Sequence, residues 1–323
     1  MTTEEKPQIK KNSFAIFLDE ISRSNTTVIF LAIITGVILG GVLVAVTTTE
    51  VYAAFKVSFW GGLKEAFLTA WNTYVALFTG SVGNPEKIQA AFASGDELAI
   101  RRAINPFFES LVQTTPYIFA GLAVALGFRV GLFNIGAEGQ IFIGAVTGVW
   151  AGYALTGLPA WIHIPVALLF GALGGAIWGF IPGLLKAKTG AHEVITTIMM
   201  NYISFRLVDW LLKNPMQDPN EYTPKSPWIL ETAELPQFFE NPIRFHLGFF
   251  VAILMAVLVY ILLFKTTWGL ELRMVGSNPD AAKYAGIKIT VATVVAMSLS
   301  GALAGMAGAN EILGINHRLI PAF

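Results

Sequence analysis

Long apolar runs recur along the chain, each close to the ~20 residues that an α-helix needs to cross a bilayer. They predict seven membrane spans: Val28–Val46, Phe107–Phe128, Gln140–Leu155, Ile164–Leu185, Glu193–Leu212, Leu247–Phe264 and Ile289–Ala309. The first run is too long, and too far from the amino terminus, for a cleaved signal peptide, and we interpret it as a retained signal anchor. Another stretch, Ala66–Val82, is uncharged and repeats aromatic residues at helical spacing, which favours an interfacial helix. The pattern predicts an all-α, polytopic transmembrane bundle.

The composition agrees with a membrane protein, because 54% of the 323 residues are hydrophobic and 13% are charged, against about 25% in soluble domains. This composition predicts a lipid bilayer as the surroundings, and the formal net charge of zero gives no reason to expect a nucleic-acid partner. The sequence contains no cysteine, which excludes disulfides and thiolate metal sites.

Lysine and arginine predict the orientation, because short cytoplasmic loops carry the excess of positive charge. These residues lie before the first span and after the second, fourth and sixth: Lys6, Lys10, Lys11, Arg23, Arg129, Lys186, Lys188, Lys265, Arg273, Lys283 and Lys288. All fall on one side if the amino terminus is cytoplasmic. The predicted organisation is a cytoplasmic tail at 1–27, a transmembrane domain at 28–323, outside segments at 47–106 and 213–246, and a cytoplasmic loop at 265–288. An odd number of spans leaves Phe323 outside, which favours a chain truncated at its carboxyl end.

The cytoplasmic loop at 265–288 contains the residues of a short, isolated helix over Pro279–Ala285. Asn278 suits the N-cap and Pro279 the first helical position, while Gly286 suits the C-terminal cap. Tyr284 would then project from a rigid two-turn knob. Because helix connections are usually ~2–8 residues long, this longer and fully capped loop favours a docking role over a plain connector.

Glycines at four-residue intervals predict close helix packing. The stripes are Gly36 and Gly40; Gly144, Gly148 and Gly152; Gly171, Gly175, Gly179 and Gly183; and Gly301 and Gly305. Ordinary packing within one bundle is the favoured interpretation, and a sliding transport interface is the alternative.

A polar, glycine-rich stretch, Phe133–Gln140, interrupts the apolar pattern. A carboxylate near membrane depth usually faces protein, water or cargo, and glycines let the backbone leave helical geometry. Asn134, Glu138 and Gln140, with Asn201 in a later span, are therefore candidate residues of a substrate pathway, or else they satisfy a broken helix internally.

For the other polar residues in or beside the spans, a structural role and a contact with cargo are both open. We expect Glu193 to cap its helix rather than to contact cargo, and Arg206 to form a structural ion pair with Asp209, three residues later on the same helical face. Asn310 and Glu311 follow the seventh span and remain open between structure and transport.

Three segments together resemble the permease subunits of bacterial ABC importers for nucleosides, within the wider sugar and branched-chain amino acid permease group. They are Phe133–Gln140, Gly190–Tyr202 and Arg273–Ile287. The resemblance spans about Phe107 to Gly314. Within this group, the chain is similar to the larger permease of a pair.

The resemblance implies a fold like that of the ribose and vitamin B12 permeases, in a multi-pass protein of the bacterial cell membrane. It implies half of a translocation pathway, a second permease subunit in a heterodimer, a separate ATPase that uses the ATP, and a substrate-binding lipoprotein outside. No cofactor is expected on this chain. The family's coupling helix corresponds to the short capped helix of the cytoplasmic loop. Its candidate ATPase contacts are Asn278, Pro279, Ala281, Ala282, Tyr284 and Gly286.

Alternative functions are a permease for simple sugars or branched-chain amino acids, an ion-coupled secondary transporter that uses Glu138 and Asp209, and a membrane scaffold without transport. An enzyme is not expected, and we assign no catalytic residue. The chain has no P-loop and no Gly-x-Ser-x-Gly motif, and Thr196 stands where a zinc-protease helix would need its second histidine.

Overall fold

The structure, a computed structural model, describes residues 25–321, so most of the predicted tail at 1–27 lies outside it. The described residues form α-helices and irregular segments, with no strand among them. They divide into one compact unit that ends at Asn84 and another that begins at Pro85, a boundary that the sequence did not indicate.

The first unit contains three helices, α1 (Asn25–Thr47), α2 (Thr49–Val57) and α3 (Phe59–Val82). The hydroxyl of Tyr74 in α3 donates a hydrogen bond to the carbonyl of Val37 in α1. Helix α3 begins seven residues before the predicted Ala66 and includes Lys64, so the helix is confirmed with an earlier start, and its interfacial position stays a prediction.

The second unit contains the helices whose bounds follow: α4 (Pro85–Ser94), α5 (Glu97–Arg129), α6 (Ala137–Ala154), α7 (Ala160–Thr189), α8 (Glu193–Lys213), α9 (Gly248–Lys265), α10 (Thr267–Ser277), α11 (Pro279–Tyr284) and α12 (Ile289–Glu311). Helix α12 packs against α5, α6 and α7 at the centre and continues as a π-helix over Ile312–Asn316. Each predicted span lies largely within one helix. The predicted span Phe107–Phe128 belongs to α5, which begins ten residues earlier, at Glu97.

Five described helices are long and apolar enough to cross a membrane: α1, α5, α7, α9, and α12 with its π-helical continuation. The other two predicted spans are α6 and α8. Polar residues lower the hydropathy of both, and their membrane crossing stays a prediction.

The glycine stripes bring α6, α7 and α12 together, which confirms the predicted close packing. A Cβ atom on Gly175 or Gly144 would collide with the carbonyl oxygen of Gly301 or Gly305 respectively. The backbones therefore touch directly, and no larger residue fits between them. Gly36, in contrast, faces open space.

The predicted outside loop is mostly irregular in the structure, but it is fixed to the end of the bundle. Backbone N–H groups of Ile229 and Leu235 donate to the carbonyls of His317 and Leu313, while that of Leu230 donates to Gly152 at the end of α6. The loop thus covers one end of α6 and the π-helix.

Candidate functional site

The polar stretch predicted from sequence forms a turn that brings the chain back into the bundle. Helix α5 ends at Arg129, and the backbone N–H of Leu132 donates to the carbonyl of Gly127 at 3.0 Å. Gly131 adopts a φ of +74°, which glycine tolerates readily. We call residues 130–136 the re-entrant turn.

Asn134 and Gln140 hold this turn from inside. The Nδ2 group of Asn134 donates to Gln140 Oε1 at 2.8 Å and to Ser300 Oγ at 2.8 Å, and its Oδ1 accepts from the backbone of Gly136 at 3.1 Å. Ser300 in turn donates to the carbonyl of Ala123 in α5 at 2.7 Å. The network links α5, the turn, α6 and α12 through side chains that are almost completely buried.

Asn201 of α8 fixes the turn from the other side. Its Oδ1 accepts from the backbone N–H of Gly139 at 2.9 Å, and its Nδ2 donates to the carbonyl of Ile135 at 3.1 Å. Three of the four predicted pathway residues therefore have their polar groups occupied within the chain. In this structure they satisfy the backbone of a broken helix.

Glu138 is different, because its side chain is exposed in the first turn of α6. Phe142 follows it by four residues, and the Phe142 ring lies 4.9 Å from that of Phe205 in α8, measured between centroids. Tyr202 is 68% exposed and lies 6.3 Å from Phe205 by the same measure. Within the described part of the chain, the side chain of Glu138 forms no hydrogen bond or ion pair.

The predicted ion pair between Arg206 and Asp209 is wrong. Asp209 Oδ2 lies 2.7 Å from Lys213 Nζ, and no ion pair joins Asp209 to Arg206 among residues 25–321. A spacing of four residues places two side chains on one face of a helix, and the long Lys213 side chain reaches Asp209 from there. Arg206 is left exposed on α8.

Glu193 begins α8, as predicted, and its carboxylate accepts a hydrogen bond from its own backbone N–H at that helix terminus. Its Oε2 lies 2.6 Å from Nζ of Lys186, near the end of α7. The carboxylate thus joins the end of one helix to the start of the next, in addition to its favourable position at a helix amino terminus.

The short helix predicted in the cytoplasmic loop is present as α11, one residue shorter than predicted. Asn278 Oδ1 accepts from the backbone N–H of Ala281 at 3.0 Å, and Gly286 has a φ of +85°, so both predicted caps are confirmed. Tyr284 is 97% exposed, and Ala281 is exposed as well.

Ala282 does not fit the predicted role of an exposed contact. It is fully buried in an apolar cluster with Leu272, Val275 and Ala292, because one face of α11 must anchor the helix to its neighbours. A groove of about 400 Å³ lies beside α11 and is lined by Trp268, Glu271, Leu272, Ala285, Gly286, Ile287, Lys288, Val291, Ala292 and Val295.

Asn310, left open by the sequence, is buried together with His246, which sequence reasoning missed. Nδ1 of His246 accepts a hydrogen bond from the backbone of Gly248 at 3.1 Å, while its Nε2 and both side-chain polar atoms of Asn310 lack hydrogen-bond partners. Both residues border Gly248, where a Cβ would collide with Asn310 Oδ1. Burial, with His317 and Arg244 nearby, lowers the pKa of His246 to about 4. In the sequence, the only sign of close packing around His246 is the pair of glycines at 248 and 314.

The apolar helices, the glycine-packed centre and the buried amide network define a multi-pass α-helical membrane protein. The chain belongs to the family described as branched-chain amino acid transport system / permease component, whose model matches residues 107–321. Members of this family are transport subunits rather than enzymes. No solved structure matches the chain.

Three curated relatives are similar to this chain. The guanosine ABC transporter permease protein NupP of Bacillus subtilis is 48% identical over 64% of the chain and 59% of its own length. The glucose ABC transporter permease protein TsgB13 of Haloferax volcanii is 37% identical over 67% and 59%. The nucleoside ABC transporter permease protein NupB of Lactococcus lactis is 36% identical over 62% and 57%. The matches thus cover less than two thirds of each relative.

Proposed function

We propose that this chain is a permease subunit of an ATP-driven ABC importer for nucleosides and forms half of its translocation pathway. Membership of a permease family supports the class. The names of NupP and NupB support nucleosides as the cargo, and the name of TsgB13 supports a simple sugar as the alternative.

The observation that carries the proposal is the geometry of α11. A six-residue helix with both ends capped is anchored by buried Ala282 and presents fully exposed Tyr284. A rigid knob of this kind suits a surface that transmits movement from another subunit. The ATPase contacts in this proposal are Asn278, Pro279, Ala281, Tyr284 and Gly286; Ala282 supports them from beneath.

The partners in this proposal are a separate ATPase, a second and different permease subunit, and a substrate-binding lipoprotein outside. The chain itself binds no cofactor, and the partner hydrolyses the ATP. The protein lies in the bacterial cell membrane with its amino terminus in the cytoplasm. The basic residues near α11, among them Lys283 and Lys288, support this orientation.

The test is uptake of radiolabelled guanosine into proteoliposomes that contain the full-length permease, its partner permease and the lipoprotein, with and without the ATPase. We expect uptake only with the ATPase and hydrolysable ATP. Collapse of the proton and sodium gradients with ionophores is the matched control and should leave the rate unchanged. Uptake that continues without ATP and stops with the ionophores would establish an ion-coupled transporter instead.

A further inference from the structure

One exposed surface of the second unit combines charge with aromatic rings at helices α6 and α8. We call it the α6–α8 face and define it by Glu138, Phe142, Tyr202, Phe205 and Arg206. Glu138 and Phe142 are four residues apart on α6, and Tyr202 and Arg206 are four apart on α8, so each pair shares one side of its helix. The contact of Phe142 with Phe205 joins the two pairs.

The depth of Glu138 follows from its neighbour Gly139, whose backbone N–H donates to Asn201. Helix α8 has 21 residues and is therefore ~31 Å long at 1.5 Å per residue. Asn201 lies eight residues after Glu193, which places Glu138 beside the middle of α8. With α8 crossing the membrane as predicted, a carboxylate beside its middle is strongly disfavoured against lipid tails, so this face meets protein, water or cargo.

The outward side of α8 before Arg206 is largely apolar, with Ile195 and Met199 preceding Tyr202 on the same stripe. Glu138 is thus an individual polar group beside an apolar stretch of surface, whereas Arg206 lies one turn before the Asp209–Lys213 ion pair at the end of α8. Glu138 and Arg206 each lack an ion-pair partner in the part of the chain that the structure describes.

The geometry points to a nucleoside-contacting position on this face, an inference that rests on the proposed function. The Glu138 carboxylate has two acceptor oxygens and accepts hydrogen bonds from the 2′- and 3′-hydroxyls of ribose. The base stacks on the exposed ring of Tyr202, which Phe205 supports. Asn134, Gln140 and Asn201 do not contact cargo but hold the turn that presents Glu138.

The test compares guanosine with 2′,3′-dideoxyguanosine, which keeps the base and lacks both hydroxyls. Initial uptake rates of the two are measured in proteoliposomes with the complete transporter, for the wild type and for Glu138→Gln. The same lipoprotein serves both proteins, so its own preference cancels when the two ratios are compared. Glu231→Gln, an exposed carboxylate in an outside loop, is the matched control.

We expect Glu138→Gln to lower guanosine uptake about tenfold, because the ribose hydroxyls lose a charged hydrogen-bond acceptor. Uptake of the dideoxynucleoside should stay within about twofold of the wild type, because it has no hydroxyls for the carboxylate to bind. Tyr202→Leu should slow both nucleosides by similar factors, whereas Tyr117→Leu, which removes another exposed tyrosine of the second unit, should slow neither.

An equal loss of both rates in Glu138→Gln would overturn the ribose contact, as would an unchanged ratio. A variant that no longer co-purifies with the second permease would overturn it too, and would assign Glu138 to a subunit contact. If the wild type itself shows no ATP-dependent guanosine uptake, the proposed function fails along with this inference. If the wild type transports guanosine and only the ratio fails to change, the proposed function stands alone.

Discussion

The side-chain amides of Asn134 and Gln140 bond to one another in both directions. Asn134 Nδ2 donates to Gln140 Oε1 at 2.8 Å, and Gln140 Nε2 donates to Asn134 Oδ1 at 3.2 Å. Ser300 of α12 completes the network, so this buried pair ties the re-entrant turn to the centre of the second unit.

Asn134→Ala should therefore destabilise the protein. The change leaves the Gln140 amide and the Gly136 N–H without their partners, at about 1–3 kcal/mol for each unsatisfied buried group. Thermal unfolding in detergent should show a clearly lower midpoint. Asn214→Ala is the control, because the Asn214 side chain is exposed and bonds only to the carbonyl of Trp210 in the preceding helix α8. Equal midpoints for the two variants would mean that the network does not stabilise the turn.

The sequence predicted what depends on local pattern and missed what depends on tertiary contact. The caps of α11 follow from Asn278, Pro279 and Gly286 alone, because each acts on its immediate neighbours. Spacing alone could not decide whether Asp209 pairs with a residue three or four positions away. The burial of Ala282 arises from packing against the neighbouring helices α10 and α12. The burial of His246 and Asn310 without hydrogen-bond partners arises from segments that are distant in sequence. Neither arrangement follows from a local pattern.

Gly175→Ala should be poorly tolerated, because the added methyl group would meet the backbone carbonyl of Gly301, which cannot rotate away. We expect a loss of about 1–3 kcal/mol from overpacking. Gly121→Ala in α5 has no atom within 4 Å of the new methyl group and should be neutral or slightly stabilising. Melting midpoints of the two variants in the same detergent make the comparison. A stable Gly175→Ala protein would contradict the direct backbone contact.

The buried ring of His246 should make stability depend on pH. Its pKa is lowered to about 4 from 6.5, chiefly by burial, so the folded protein holds the ring neutral while the unfolded chain protonates it below about pH 6.5. Stability should fall as the pH falls from about 6.5 to about 4, by roughly 3 kcal/mol in total. The check is the midpoint of thermal unfolding, measured in steps across that range.

His246→Asn is the informative variant for this pH dependence. An asparagine side chain can still accept the backbone N–H two residues later, at Gly248, but does not titrate. The slope between about pH 6.5 and about pH 4 should become shallower in the variant. An identical slope in both proteins would assign the effect to other groups.

Tyr284→Ala should lower ATP-dependent transport without affecting the fold. The ring is 97% exposed, so its removal costs the isolated protein little, whereas an aromatic residue at the centre of a subunit contact commonly supplies much of the binding energy. We expect ATP-dependent guanosine uptake to fall roughly tenfold, with an unchanged melting midpoint. Tyr222→Ala removes another fully exposed tyrosine, from the predicted outside loop, and should leave uptake at the wild-type rate. Normal uptake by Tyr284→Ala, with the ATPase still bound in a co-purification assay, would show that the coupling contact lies elsewhere on the permease.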